Sequence, residues 1–220
     1  MREEKVLIPS KTIRLEGLLS NQEALHLKGG MILCHPHPQH GGDMYNPVIS
    51  AAVEAASQEG FSTLRFNFRG VGESEGSYGE GIGEREDVKA VIDYFYSKLE
   101  DSNPSLILLG YSFGAWTGLL VAAEDERIEA MVGIAPPLEI YSFRLLEKCK
   151  KRKLFVVGSQ DLFCPTPVLE AWFRQLEEPK SLAIIPGADH FFFSHNRLLI
   201  QPLREFFNKI SSEYVVRSSE

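Results

Sequence analysis

Along this chain, short and predominantly apolar runs alternate with longer stretches whose apolar residues recur every three or four positions. The runs Met31–Cys34, Phe61–Phe68, Leu106–Leu109, Ile128–Ala135, Leu154–Val157 and Leu182–Ile185 predict the strands of a buried sheet. Between them, Val48, Ile49, Ala52, Val53 and Ala56 predict a helix with one apolar face, and so do Val88, Val91, Ile92, Phe95 and Leu99. A third helix follows Gly114 and runs to about Asp125. A fourth, capped by Thr166-Pro167, turns Val168, Leu169, Trp172, Phe173 and Leu176 inward, and a last one buries Leu199, Leu203, Phe206, Phe207 and Ile210. Ahead of all these, Val6–Ile8 and Thr12–Leu19 read as two strands broken near Pro9-Ser10, an antiparallel pair at a sheet edge.

The punctuation between elements agrees with this reading. Asn46-Pro47 is a helix cap followed by a first-turn proline, and Gly60 stops the helix that it opens. Glu84, Glu86 and Asp87 crowd the first turn of the next helix, where its positive end favours carboxylates. Pro136–Lys153 is the one insertion; its end, K-C-K-K-R-K, reads as a solvated helix end with cations near the negative pole. Strand and helix alternate from Gly30 onward without repeat or linker. The pattern predicts one α/β domain over residues 1–220, built on a mostly parallel central sheet with helices on both faces.

Composition narrows the functional classes. A hydrophobic share of 44% and a charged share of 24% suit a chain that buries a sizeable core. The formal net charge of -7 repels a phosphate backbone, so nucleic acid is not an expected partner. No apolar run is long enough to span a membrane. Cys34, Cys149 and Cys164 show no C-x-x-C spacing and read as free thiols of a reducing compartment. The first residues, MREEKVLIPS, lack the apolar core of a secretion signal, and a cytoplasmic location is expected.

Candidate chemistry gathers after the carboxyl ends of the predicted strands, where sheets of this kind place their reactive loops. Gly110-Tyr111-Ser112-Phe113-Gly114 follows the run Leu106–Leu109 and precedes a helix. A serine on such a strand-to-helix turn has its hydroxyl lifted out of the sheet, and glycines on either side avoid backbone clashes. A hydroxyl becomes a nucleophile only when a base takes its proton and an acid holds the base's tautomer. Asp161 lies 49 residues after the serine and His190 lies 29 residues after Asp161, each just past a predicted strand. Glu139 is the rival acid and His195 the rival base, while Asp189 reads as a turn residue. The loop R-G-V-G-E-S lacks the lysine of a phosphate-cradling motif and reads as a tight turn with Arg69 as its anchor.

With these motifs in place, the sequence resembles a small α/β-hydrolase over essentially its whole length. The elbow G-Y-S-F-G, the order Ser112, Asp161, His190, and the segments C-H-P-H-P-Q-H-G-G-D-M-Y-N and F-N-F-R-G-V-G-E-S-E-G resemble a compact, lid-poor bacterial subgroup near the dienelactone-hydrolase-like proteins. The resemblance implies an α/β-hydrolase fold with a minimal cap and acyl hydrolysis by Ser112, His190 and Asp161. The elbow holds serine where dienelactone hydrolases hold cysteine, which sets that reaction apart.

In this reading the oxyanion donors are the backbone N–H of Phe113 and one from residues 35–38. Pro36 and Pro38 have no N–H, so His37 is the best-placed donor and His35 the next. His35, His40 and Tyr111 are expected to line the substrate pocket. His35, His37, His40 and Asp43 also invite a metal reading, which ranks below the oxyanion role. Neither metal nor cofactor is required. The expected partner is a small acyl substrate, met by a monomer or homodimer. A peptidase on short peptides and a non-catalytic binder remain open.

Overall fold

A computed structural model describes residues 2–21, 29–99 and 104–217. Eight strands form one sheet: β1 (Arg2–Ser10), β2 (Ile13–Asn21), β3 (Gly30–Cys34), β4 (Ser62–Phe66), β5 (Leu106–Tyr111), β6 (Ile128–Ile134), β7 (Arg152–Gly158) and β8 (Lys180–Ile185). They lie in the order β1-β2-β4-β3-β5-β6-β7-β8. The first two form an antiparallel hairpin on one edge, and every pairing from β4 to β8 is parallel. Among the described residues five α-helices accompany the sheet: α1 (Pro47–Gln58), α2 (Ile82–Tyr96), α3 (Phe113–Glu124), α4 (Thr166–Phe173) and α5 (Ile200–Arg217). None of the described helices is long and apolar enough to cross a membrane.

The period-two alternation of the strands divides the core into two layers. Ile32, Leu106 and Leu108 face α2 and α3, packing with Val88, Phe95 and Leu119. Met31, Leu33, Ile107 and Leu109 face α1 and α5, packing with Val53, Leu203 and Phe207. Helices therefore cover both faces. Each such side chain contributes about 1.5–3 kcal/mol through its burial. The central strands β3, β4 and β5 are buried at every position, as their apolar runs require.

Several boundaries differ from the sequence pattern for identifiable reasons. The hairpin turns at Lys11 (φ 52°), beyond the expected break, and Pro9 stays paired with Arg14 because an edge strand tolerates a missing N–H. Leu99 lies past the end of α2 yet still packs on the core. Pro165 is the N-cap of α4, and Leu169 is its one fully buried residue. The basic run begins where a short 3-10 helix, Arg144–Lys148, ends, but its later lysines serve other elements. Lys151 donates to the carbonyls of Ala122 (2.7 Å) and Asp125 (2.5 Å) at the negative end of α3, while Lys153 is buried within β7 and donates to the carbonyl of Glu177.

Two further devices set the loops near β3 and β4. Arg69 reaches Asp87 of α2 through Nε (3.0 Å) and Nη2 (2.8 Å), so the expected anchor is a guanidinium locked on a buried carboxylate. Glu84 accepts the N–H groups of Gly79 and Gly81 and caps α2. Together these hold the glycine-rich loop against the helix whose first turn it enters.

Candidate active site

The site begins with a strained turn. Ser112 has φ 53° and ψ -117° between β5 and α3, a conformation that costs a non-glycine residue roughly 1–3 kcal/mol. Its carbonyl accepts the N–H groups of Ala115 and Trp116, and its own N–H donates to Ile134 of β6, so both sides of the turn are tied down. The flanking glycines are required by close approach. A Cβ on Gly110 would lie 2.3 Å from the carbonyl oxygen of Gly114, and one on Gly114 would lie 2.3 Å from that of Cys34. The N-terminus of α3 thus rests directly on the end of β3.

Three side chains from three loops meet here. Ser112 Oγ lies 2.9 Å from His190 Nε2, and His190 Nδ1 lies 3.0 and 2.9 Å from the two carboxylate oxygens of Asp161. One ring nitrogen thus faces the carboxylate and the other faces the serine hydroxyl. Asp161 is buried, and its Oδ1 also accepts the N–H groups of Phe163 (2.8 Å) and Cys164 (2.9 Å). Glu139 is exposed and makes no bond to this imidazole; its own N–H donates to Phe163 O. His195 stands at the head of the short turn before α5 with Nδ1 on Phe193 O, and Asp189 accepts the N–H groups of Phe191 and Phe193 as a turn residue does.

The imidazole of His190 is held from behind. Tyr111 Oη donates to the carbonyl of His190 at 2.9 Å, and burial raises the pKa of that phenol, keeping it a donor. Tyr111 therefore lines the crevice with its ring while its hydroxyl is spent on the backbone of His190. Nothing in the sequence pattern signalled that bond, because it joins residues 79 positions apart. Phe163 packs on the His190 ring at 4.7 Å and Phe191 meets it edge-on at 5.5 Å, two contacts the sequence reading also missed.

The histidine-rich loop divides its tasks. His35, expected to line the pocket and to be the second choice of oxyanion donor, is fully buried instead. Its Nδ1 donates to Pro36 O (2.6 Å) and its Nε2 accepts the N–H of Phe68 (3.0 Å), so the ring ties two strand ends together. Burial lowers its pKa to about 4, which keeps Nε2 an acceptor. His37 faces the crevice, with its ring 4.8 Å from Phe113 and 4.6 Å from His40, and burial followed by the neighbouring His40 lowers its pKa. His40 is exposed at the rim. The backbone N–H groups of His37 and Phe113 have no acceptor among the described residues, the latter as the first residue of α3. Among the described residues no group of three or more His, Cys, Asp and Glu side chains is placed to hold a metal ion.

All this surrounds a cavity of about 620 Å³, lined by Ser112, His190, His37 and His40 and walled by Tyr111, Phe113, Phe163, Phe191, Ile140 and Tyr141. The insertion after β6 supplies Pro137, Ile140 and Tyr141 to the lining of the crevice.

A parallel sheet flanked by helices, with a serine on a glycine-lined elbow at the end of a central strand, defines an α/β hydrolase. The family model for X-Pro dipeptidyl-peptidase (S15 family) matches residues 33–148. An uncharacterised protein of Rickettsia prowazekii is 30% identical over 91% of this chain and 87% of its own length. The structure of an alpha-beta serine hydrolase homologue from Coxiella burnetii superposes with a TM-score of 0.86 at 34% identity, covering 93% of this chain and 97% of that one. A Xanthomonas campestris serine hydrolase described as lacking a lid gives 0.85 at 27% identity over 95% of each chain. The chain belongs to the α/β serine hydrolases, in the superfamily that includes the S15 model, and it shares their hydrolase architecture.

Proposed function

We propose that this protein is a serine esterase or thioesterase that cleaves a small acyl compound, with Ser112 as nucleophile, His190 as base and Asp161 as its orienting acid. The observation that carries the reading is the unbroken hydrogen-bond path from Ser112 Oγ through both nitrogens of His190 to Asp161, ending in an open crevice. Ser112 Oγ attacks the acyl carbon as Nε2 takes its proton. The oxyanion that forms is held by the N–H groups of Phe113 and His37. The imidazolium then gives its proton to the leaving alcohol or thiol, and a water activated by the same nitrogen releases the acid. Aromatic and aliphatic walls favour an apolar acyl group.

A dipeptidyl-peptidase reading is less well supported. A carboxylate in the cavity would favour capture of a peptide's free ammonium group, and among the described residues no Asp or Glu lines this one. Three free, buried cysteines favour a reducing compartment, the cytoplasm. The test is a panel of short p-nitrophenyl esters, matching thioesters and aminoacyl amides, run beside labelling by a fluorophosphonate. Esters or thioesters turned over in preference to amides, with Ser112 labelled, is the expected result. Folded protein that neither reacts with the probe nor turns over any of the three classes would leave the non-catalytic binder.

A further inference from the structure

A second cavity, of about 490 Å³, lies on the far side of the crevice wall and has the opposite character. Arg85, Lys89 and Arg144 line it, with Glu124 as the one carboxylate and Trp116 as its aromatic side. In a chain with a net charge of -7, three cations on one cavity run against the average of the surface. The guanidinium carbon of Arg85 sits 4.6 Å from the centre of the Trp116 ring, and its Nε is buried without a hydrogen-bond partner. Burial lowers the pKa of Arg85, with Glu124 opposing that shift. Among the described residues neither Lys89 nor Arg144 has an ion-pair partner within 4.0 Å. A half-buried guanidinium beside two cations without ion-pair partners is the kind of cluster that suits a multiply charged anion.

Its position links it to the chemistry. Trp116 stacks face to face on Tyr141 at 4.0 Å and 7°, and Tyr141 is a wall of the Ser112 crevice. One pair of stacked rings therefore separates the two cavities. A substrate whose acyl group occupied the apolar crevice would carry its remainder past the Tyr141–Trp116 pair toward the cations.

We infer that this cavity is an anion subsite, taking a phosphorylated portion on the leaving-group side of the acyl substrate. The inference rests on the serine-hydrolase reading for its role and on the cation cluster for its ligand. Butyryl-coenzyme A and S-butyryl-N-acetylcysteamine share the acyl group and the thiol end and differ in the phosphorylated remainder. The ratio of their kcat/KM values is expected to fall at least about tenfold, through KM, in Arg85→Gln and in Arg144→Gln. Arg144 is exposed, so its replacement keeps the fold intact. An unchanged ratio in both variants overturns the subsite. A readout independent of turnover is the fluorescence of Trp116 during titration with inorganic pyrophosphate. A saturable change that both substitutions weaken supports an anion site even if neither thioester is cleaved, in which case it is the hydrolase reading that fails. No saturable change by ~10 mM pyrophosphate would remove the site itself, since affinity that weak is under about 3 kcal/mol.

Discussion

At the scale of single residues, His35 and His37 differ by two positions and have opposite fates. Both belong to one H-P-H-P run, and no local pattern separates them. The distinction comes from the N–H of Phe68, 33 residues away, which claims Nε2 of His35 and buries its ring. That Ser112, His190 and Asp161 meet was legible because glycine spacing and chain order carry them, whereas the buried imidazole depends on a contact that only the folded sheet makes. The proposed oxyanion role of His37 predicts a contrast between two substitutions. His37→Ala keeps the N–H and should retain most of kcat. At φ -54° the position accepts proline, so His37→Pro removes the donor with little backbone strain and should lower kcat by roughly 10²–10³. Single-turnover kinetics of the two variants on one p-nitrophenyl ester reads the difference; equal rates would end the backbone-donor assignment.

At the scale of elements, the strand–helix alternation, the Asn46-Pro47 cap and the core stripes of α1, α2 and α5 could be read directly, because each rests on neighbours a few residues apart. The basic run could not. Its Lys151 reaches carbonyls at the end of α3, 26 and 29 residues earlier in the chain, and so closes a different helix from the one the run follows. The glycine-rich loop shows the same dependence on distance. Its anchor, Arg69, pairs with an Asp87 side chain that has no exposure, and removing one partner strands the other as a buried charge. Arg69→Met is therefore expected to destabilise the protein by about 3–5 kcal/mol, read as a lowered urea midpoint at unchanged slope. The double variant Arg69→Met, Asp87→Asn should recover much of that loss.

For the molecule as a whole, the buried histidine makes stability depend on pH in a defined direction. Unfolded, His35 binds a proton near 6.5; folded, its pKa is about 4. The unfolded chain therefore takes up more protons in that window, and stability that is full above pH 6.5 is lost as pH falls toward 4. That lowering corresponds to roughly 3 kcal/mol. Chemical denaturation of the native protein and of His35→Gln across this range should show the drop flattened in the variant; parallel curves would mean that the ring is not held neutral. The mostly parallel sheet and its two helical layers followed from the sequence pattern, but the strand order and the residue that links folding to acidity did not.

Cys34 and Gly110 are register partners on adjoining strands, and the loops bearing His37 and Ser112 leave the sheet just beyond them. The spacing of the parts that would steady a reaction's charge is thus written in main chain, while recognition is written in the rings and aliphatic groups around it. Lining residues can be exchanged through descent without disturbing that spacing. Proteins sharing this scaffold are accordingly expected to keep one kind of bond cleavage while scattering widely in what they cleave.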